Sequence, residues 1–546
     1  MRAIRFRFAL VPLVSAFLTL AVGEVPGRQQ LENAAEVHDE IRGAAGNEAA
    51  VREYFPSFLD YQDLIMFHPK FGYYASGRVS FSNDYQTFPI VMSPYFGEMI
   101  AQQIFHMWDG MRQAGSLSPK EPFTIAEFGA GDGALAEQIL MYLDEQSKKD
   151  ARWREFAEQT VYVCYDRSPA LSQAQQARNS RFGKRFEARE ADATDPTATI
   201  RPGSLKGVVL SNELPDAFSV HKVILSANGS AEVAYVAPSL PTKQWNKLAK
   251  EVPAVVAQQV AADNEAIQSK VFGKKKDDTM YLSRAAFVEL LQSLVSQKDY
   301  EKDVQPLEFH EVYLPATVIP DLAAHLRRYA HLYAEELAKN NRGMVTYVNL
   351  GEEKFVQGAG RILGAGYVLT IDYGANWDGI MTQDRAHLRT YGPAHQAEND
   401  HVEAFDVATD GEPEERDTSD PYRGPTLNDI TTDVNFSLME AEGRLAGLST
   451  KYYGRQKALA SGTTVSIDVI PPHRLHNSEL EKEYQSWLKD FKNGDSFKVM
   501  VQEKANTDAT YTYPDKEPEP LTFDENSLTP AQRTNAAAIE HTLGVQ

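Results

Sequence analysis

The chain has 546 residues, of which 42% are hydrophobic and 24% are charged, and its formal net charge is −21. These fractions exclude wholesale disorder, and the single cysteine, Cys164, excludes a disulfide scaffold. The acidic excess repels phosphate backbones, so we expect no nucleic-acid partner. The length allows about two to four domains, or one large domain with insertions.

Residues 1–23 resemble a targeting leader. Arg2, Arg5 and Arg7 precede an apolar run from Ala9 to Val22. This order is typical of a secretory signal peptide, and the run is short for a membrane span, which needs about 20 residues. We therefore expect an exported protein, periplasmic or secreted. A mitochondrial presequence and an uncleaved anchor are the alternatives, and we expect membrane association only through this leader.

An α/β rhythm follows a helical N-terminal region at residues 24–118. In residues 119–225, the segment FTIAEFGAGDG predicts a strand that enters a glycine turn, and the apolar spacing from Ala134 to Leu143 predicts a helix. TVYVCYD and KGVVLSNEL predict two further strands, with a helix between them that Ser168 opens. This alternation predicts a doubly wound sheet with an α/β fold.

The alternation of strands and helices stops in residues 226–345, where helical patterns predict an inserted helical cap that faces the substrate. One predicted helix there, DLAAHLRRYAHLYAEELAKN, has Asp321 as a plausible N-cap. Residues 346–504 resume the sheet with GYVLTIDYG and DSFKVMVQEK, interrupted by an acidic loop at 397–424. The Thr-, Pro- and acid-rich composition of residues 505–546 predicts a disordered tail.

The glycine turn is the strongest local indication of a ligand site. Glycines between a strand and a helix let a ligand approach the backbone closely. The pattern also fits a dinucleotide fingerprint, whose ribose-binding acid lies about 20 residues further on. Here the next strand ends at Asp166, 33 residues after Gly133. This spacing, together with Glu127 before the glycines, favours a different nucleoside site.

The motif EFGAGDG resembles the first motif of class I S-adenosylmethionine-dependent methyltransferases. The wider chain resembles the MidA family, which includes a mitochondrial complex I assembly-factor protein arginine methyltransferase. The matching motifs occur in order from about Phe58 to Lys504: HPKFGYYASG, NDYQTFPIVMSPYFGEMIA, DRSPALSQAQ, SNELPDAFSVHKV, GYVLTIDYG, LRTYGPAH, LNDITTDVNF and GDSFKVMVQEK. Ile90 and Asn435 depart from the family, which usually has a glutamate and an aspartate at these positions.

The resemblance implies S-adenosyl-L-methionine as the cofactor. The cofactor-binding residues that it implies are Glu127, Gly129, Gly131, Gly133, Asp166 and Asp192. Asp166 would accept the ribose hydroxyls, Asp192 would lie near the adenine, and Glu127 would lie near the methionine ammonium. Capping or turn roles for the two aspartates, and a buried structural role for Glu127, are the alternatives.

The turn SNELPDAF supplies the catalytic candidates Asn212, Glu213 and Asp216. Carboxylates can hold a guanidinium and increase its nucleophilicity, whereas for a hydroxyl acceptor one acid or His221 could act as base. The alternative is a capped turn without a chemical role. Asp372 ends another strand and is a candidate for the same cleft. Methyl transfer requires no metal, and we expect none.

Protein arginine methylation is the activity that the resemblance implies. A methyltransferase for a small-molecule hydroxyl or amine is one alternative, and a non-catalytic cofactor-binding or assembly protein is another. The expected partner is accordingly a protein or small-molecule methyl acceptor.

Overall fold

The computed structural model describes residues 47–75, 87–226, 228–273, 278–297, 300–340, 343–382, 388–391, 420–422, 424–466, 478–504 and 529–543. The predicted leader and all but the last few residues of the predicted acidic loop lie outside these residues. No helix in the described part is long and apolar enough to cross a membrane.

The helices are α1 (Asn47–Tyr54), α2 (Phe58–Phe67), α3 (Phe88–Val91), α4 (Tyr95–Gln113), α5 (Ala134–Ser147), α6 (Ala151–Gln159), α7 (Pro169–Asn179), α8 (Thr242–Leu248), α9 (Ala254–Lys270), α10 (Arg284–Leu294), α11 (Tyr300–Val304), α12 (Pro320–Arg328), α13 (Ala330–Asn340), α14 (Leu350–Ile362), α15 (Trp377–Thr382), α16 (Phe436–Leu445), α17 (Ser478–Asn493) and α18 (Pro530–Thr542).

The strands are β1 (Phe123–Phe128), β2 (Thr160–Asp166), β3 (Phe186–Glu190), β4 (Leu205–Asn212), β5 (His221–Leu225), β6 (Ala231–Pro241), β7 (Thr279–Tyr281), β8 (Glu308–Pro315), β9 (Met344–Val348), β10 (Leu363–Ala375), β11 (Leu388–Tyr391), β12 (Asp429–Thr432), β13 (Val434–Asn435), β14 (Leu448–Arg455) and β15 (Phe497–Lys504).

The larger sheet has the strand order β14-β15-β10-β4-β1-β2-β3, and β13 pairs with β10. Strands β3, β2, β1, β4 and β10 run parallel, while β15 is antiparallel to both of its neighbours. The chain builds outward from β1 to β3 and then returns to the other side of β1. Ligands bind at such a topological switch point, beyond the carboxyl ends of the strands, so this sheet places a cleft between β1 and β4.

Alternate residues of the central strands enter two separate cores. Phe123 and Ile125 of β1 belong to one hydrophobic cluster, which includes Trp108, whereas Ala126 and Phe128 belong to the cluster on the other face. Such central strands, covered on both faces, are expected in a parallel sheet with helices on each side. The predicted doubly wound sheet with an α/β fold is therefore confirmed.

The inserted region differs from the predicted helical cap because it is built on a second sheet. Strands β7, β6, β5 and β9 lie in that order, and β8 also pairs with β6. Successive residues of β6 enter different cores: Val233 and Tyr235 one cluster, Ala234 and Val236 the other. With both faces buried, β6 shows little of the alternating pattern that identifies a half-buried strand.

Two smaller predictions are also wrong. The predicted single helix around Asp321 is two helices that meet at Tyr329, and its N-cap is Ile319, with Pro320 in the first turn. The predicted tail includes the helix α18, whose N-cap Thr529 forms a capping box. Its residue Ile539 is buried in the hydrophobic cluster of the inserted sheet, together with Leu332, Tyr333 and Leu337 of α13.

Candidate functional site

The glycine turn lies at the carboxyl end of β1, as the sequence predicts. Gly129, Gly131 and Gly133 have φ values of 70°, 52° and 83°, which residues with a side chain rarely adopt. A Cβ atom at Gly129 would lie 2.6 Å from Leu214 Cδ1, and one at Gly133 would lie 2.7 Å from Asn179 Nδ2. Gly129 and Gly131 line the cleft, whereas Gly133 is the N-cap of α5 and allows the turn itself.

Buried carboxyl groups end the two strands beside this turn. Glu127 accepts a hydrogen bond from Tyr162 Oη at 2.8 Å and contacts Cys164 Sγ at 3.7 Å. Burial raises the pKa of Glu127 to about 7, and these two hydrogen bonds oppose the rise. Asp166 accepts the Ser168 N–H at 2.9 Å, and burial raises its pKa to about 6. Each carboxyl would gain from a cationic or hydrogen-bond-donating ligand.

Asp192 also lines the cleft, but it is not buried as Glu127 and Asp166 are. Its side chain is exposed, and Oδ1 already accepts the Thr194 N–H at 2.8 Å and the Thr194 hydroxyl at 2.7 Å. These bonds form a local turn of the kind that aspartate often stabilises. The carboxylate is therefore partly committed to its own backbone, as the alternative interpretation of this residue anticipates.

The cleft is open to solvent and contains about 1110 Å³ of space, part of it continuous with the surrounding water. Five carboxyl groups line it, those of Glu127, Asp132, Asp166, Asp192 and Glu213. Among the described lining residues, Arg167 is the one with a permanent positive charge. The electrostatic balance therefore favours a ligand that carries positive charge.

Asn212 and Glu213 end β4 on the opposite wall of the cleft. Glu213 has a φ of 50°, a strained value for a residue with a side chain, and its N–H donates to Ile371 O at 2.9 Å. Asn212 Nδ2 donates to Glu213 Oε1 at 3.1 Å. Desolvation and the nearby charge of Asp216 raise the pKa of Glu213 to about 8. Strain and a perturbed pKa together are typical of functional sites.

The structure places Asp216 behind this wall, because its side chain is 2% exposed and does not line the cleft. Its N–H donates to Asp372 Oδ2 at 3.3 Å, and burial raises its pKa to about 7. Asp372 is fully buried as well, and its pKa is also raised, first by burial and then by the charges of Asp216 and Glu213. These two residues form an acidic layer beneath Glu213.

His221, the alternative base, lies outside the described lining of the cleft. Burial lowers its pKa to about 4, so the imidazole is neutral at physiological pH. The charged groups that act on it, Asp60, Lys354, His325 and Asp321, are not residues of the cleft wall. The arrangement does not favour His221 as the base.

The structure adds lining residues that the sequence analysis did not single out. Phe67 and Tyr74 stack with their ring centroids 5.8 Å apart, and both line the cleft, as does Ile90, the residue at which the sequence departs from the family. The Arg167 guanidinium lies 4.3 Å from the Phe67 ring centroid and pairs with Asp63 at 2.8 Å. The motif HPKFGYYASG contains Tyr74, but motif membership does not indicate which side chain reaches the cleft.

Two more distant segments complete the acidic layer. Tyr74 Oη donates to Asp429 Oδ2 at 2.8 Å, and the charge of Asp429 raises the pKa of Asp216. Arg389 lies 4.3 Å from the Tyr373 ring centroid, and its charge acts in the opposite direction on Asp216. The described residues include no cluster of three or more ligands suited to a metal ion.

The arrangement fits a nucleoside that carries a cationic group. Gly129 and Gly131 line the cleft without side chains, at φ values that a residue with a side chain rarely adopts. Asp166 can accept ribose hydroxyls at the end of β2, and Glu127 can accept an ammonium group at the end of β1.

Comparison with known proteins is consistent with this geometry. Residues 99–454, more than half of the chain, match the model of a family described as "putative S-adenosyl-L-methionine-dependent methyltransferase". A "likely methyl transferase" from Burkholderia thailandensis bound to S-adenosyl-homocysteine is 19% identical, with a TM-score of 0.50, and the match covers 88% of this chain and 95% of that one.

A second crystal structure, of an uncharacterized protein of the same superfamily from the same organism, is 20% identical, with a TM-score of 0.50 and coverage of 88% and 94%. At these identities the two similarities show the fold alone. No curated protein matches the chain.

Proposed function

We propose that this chain, which belongs to a family of S-adenosyl-L-methionine-dependent methyltransferases, transfers the methyl group to the guanidinium of a protein arginine. The observation that carries the proposal is Glu213, a carboxyl group on the cleft wall that is backed by the buried carboxyl groups of Asp216 and Asp372. A guanidinium carries its positive charge at every physiological pH and prefers carboxylate partners.

In this proposal the glycine turn and the acidic residues at or near the ends of β1, β2 and β3 hold the cofactor. Gly129 and Gly131 let it approach the backbone, Asp166 accepts its ribose hydroxyls, and Glu127 accepts its ammonium group. Asp192 lies near the base. When bound, the cofactor would supply a methyl group on a positively charged sulfur, and loss of that group would leave a neutral thioether. The other requirements, alignment and exclusion of water, fall to the protein.

Glu213 then acts on the acceptor. A guanidinium nitrogen must lose a proton as it forms its bond to the methyl carbon, and the Glu213 carboxylate accepts that proton. Its pKa of about 8 in the free protein means that the carboxyl group carries a proton at neutral pH before the acceptor arrives. The uncharged proton-bearing form of Glu213 must first ionise, which the arriving cation favours because opposite charge lowers the pKa of a carboxyl group.

The protein acceptor is supported by the resemblance to the MidA family and by the openness of the cleft. The stacked rings of Phe67 and Tyr74 supply an apolar wall that can pack against an arginine side chain, since guanidinium groups favour aromatic faces. Ile90 in the same wall adds apolar surface rather than charge.

A labelling experiment tests the proposal. The purified chain is incubated with methyl-labelled S-adenosylmethionine and a lysate, and the labelled material is digested and analysed by mass spectrometry. We expect labelled methylarginine in protein, and none with the Gly131→Val variant. Label only in small molecules would show the small-molecule alternative, and retained cofactor without any labelled product would show a non-catalytic binding protein.

The compartment is a separate proposal. We infer export from the leader-like residues 1–23, with mitochondrial import as the alternative. The methyl donor is made in the cytosol, so export would require a supply of donor outside it. N-terminal sequencing of the mature chain from fractionated cells distinguishes a cleaved signal from a presequence, and an intact Met1 would contradict both.

A further inference from the structure

The turn that carries Glu213 needs support from outside itself. Glu213 has its strained φ of 50°, and a short helical turn, Pro215–Ala217, follows it directly. Strained backbone persists only where the surrounding structure fixes it. The groups that bind the backbone of this turn therefore influence where the Glu213 carboxyl lies.

Asn349 is one such group, and it comes from the end of the inserted sheet. Its Nδ2 donates to Pro215 O at 2.9 Å and to Glu352 Oε1 at 3.1 Å. Its Oδ1 accepts the Glu352 N–H at 3.1 Å, which makes it the N-cap of α14. The side chain is 8% exposed, so the two donors and the acceptor of the amide are used inside the protein.

The surroundings of Asn349 hold it firmly. It directly follows β9, whose Val348 pairs with His221 at the start of β5. Gly351 packs beneath the turn, since a Cβ there would lie 2.8 Å from the Phe218 side chain. The contacts therefore join the end of the inserted sheet, the start of α14 and the turn in one place.

Helix capping explains only half of what Asn349 does. Serine, threonine and aspartate cap helices about as well as asparagine, and each could accept the Glu352 N–H. The hydrogen bond to Pro215 O requires an N–H donor as far from the backbone as the asparagine amide is. The choice of asparagine is thus accounted for by the turn rather than by the helix.

We propose that Asn349 is a positioning residue that holds the Pro215 carbonyl and thereby places Glu213 at the cleft wall. What Glu213 does there rests on the proposed function, whereas the positioning itself does not. The inserted sheet then contributes to the geometry of the catalytic turn, in addition to any contact that it makes with an acceptor.

A matched pair of variants tests this proposal. Asn349→Ser keeps an oxygen for the cap and removes the amide donor. Asn435→Ser is the control, because Asn435 is also a buried asparagine that caps a helix, α16, through the Leu438 N–H. Its side chain has no hydrogen bond to the turn among the described contacts. Both variants should lower the melting temperature by similar amounts.

The two variants should differ in two other measurements. Amide hydrogen exchange of the peptide spanning residues 212–218 should rise in Asn349→Ser and stay at the wild-type level in Asn435→Ser. With methyl-labelled S-adenosylmethionine and a protein acceptor, kcat should fall about tenfold in Asn349→Ser alone, with the cofactor Kd unchanged, because misplacement of a reacting group costs rate rather than cofactor affinity.

Equal effects of the two variants on exchange and kcat, or wild-type exchange in Asn349→Ser, would overturn the positioning role. If Asn349→Ser fails to fold, Asn349→Thr, which also keeps an oxygen for the cap and loses the amide donor, takes its place. The exchange measurement needs neither cofactor nor acceptor. Absence of arginine labelling by the wild-type protein would therefore contradict the proposed function and leave the positioning test intact.

Discussion

The proposal assigns one wall of the cleft, with the glycine turn, Asp166 and Asp192, to the cofactor, and the other wall, with Glu213 and Tyr74, to the acceptor. These cofactor and acceptor walls are built in different ways. On the cofactor wall, polar groups are fixed by close neighbours in sequence: Gly133 N donates to Ala130 O at 2.9 Å, and Ser168 N donates to Asp166 Oδ1 at 2.9 Å. On the acceptor wall, Tyr74 reaches Asp429 across 355 positions of sequence. The first wall is built within one stretch of the chain, in which Glu127 reaches Tyr162 across 35 positions, whereas the second wall joins segments that lie far apart in sequence.

This difference predicts where single substitutions act. A change on the cofactor wall should alter cofactor affinity, and a change on the acceptor wall should alter transfer with affinity preserved. The expected effects below run from the largest to the smallest, and each can contradict this division.

Gly131→Val should have the largest effect. A β-branched residue at a φ of 52° is strained, and its side chain would project from a lining position. We expect cofactor Kd in calorimetry to rise more than about 100-fold, since the glycines admit the ligand to the backbone.

Gly115→Val is the matched control, because Gly115 has a φ of 76° with nothing within 4 Å of an added Cβ. It carries the same kind of backbone strain away from the cleft. Equal loss of affinity in both variants would mean that general destabilisation, and not the site, is responsible.

The same division explains how much the sequence could predict. The glycine turn, the ends of β1, β2 and β4, and the α/β class follow from contiguous motifs. The inserted sheet does not, because β6 is buried on both faces and lacks an alternating pattern. The position of Asp216 behind the wall also could not be predicted, since it depends on the contact with Asp372 on β10.

Some missed features did have a local signal. Thr529, Pro530 and Gln532 form the capping-box pattern of a helix start, yet the composition of the surrounding segment favoured a tail. Asn349 gave no signal as a partner of the turn, because Pro215 lies 134 positions away.

Asp166→Asn should have the next largest effect. Charge-assisted hydrogen bonds to a buried carboxylate are each worth about 1.5–3 kcal/mol, so cofactor Kd should rise roughly 10- to 100-fold. Asp192→Asn should raise it less than about threefold, because that exposed carboxylate already accepts two bonds from Thr194. The reverse order of the two variants in calorimetry would contradict the assigned roles.

Cofactor affinity should depend on pH through the same wall. The pKa values of about 7 for Glu127 and about 6 for Asp166 imply that both groups protonate as the pH falls from 8 to 5. We expect the cofactor Kd to rise as the pH falls through that range. In Glu127→Gln, the change in Kd at the upper end of the range should be smaller. A Kd that is independent of pH in the wild-type protein would exclude both carboxyl groups as cofactor ligands.

The protein without cofactor should show the opposite dependence in stability. Both pKa values are raised above their ordinary values, so the stability that these groups confer is present below those ordinary values, declines as the pH rises above them, and is fully lost once the pH has passed about 6 to 7. The melting temperature of the free protein should therefore contain a decline across this window that Glu127→Gln reduces.

The smallest effect on the cleft should come from the C-terminal helix. Ile539 is fully buried against the inserted sheet, and Ile539→Ala should lower the free energy of unfolding by about 2–5 kcal/mol. Glu540→Ala, at an exposed position of the same helix, should change it by less than about 0.5 kcal/mol. Cofactor Kd should be unchanged in both, and a loss of affinity in Ile539→Ala would show that the two regions are coupled.

The substitution Glu213→Gln tests the division of the cleft most directly, with cofactor Kd and transfer rate measured on the same preparation. The amide keeps the shape of the side chain and cannot accept a proton. We predict a cofactor Kd within about threefold of wild type and a kcat lowered roughly 100-fold or more, as for loss of a general base. A variant that loses cofactor affinity, or that transfers methyl groups at the wild-type rate, would contradict the account.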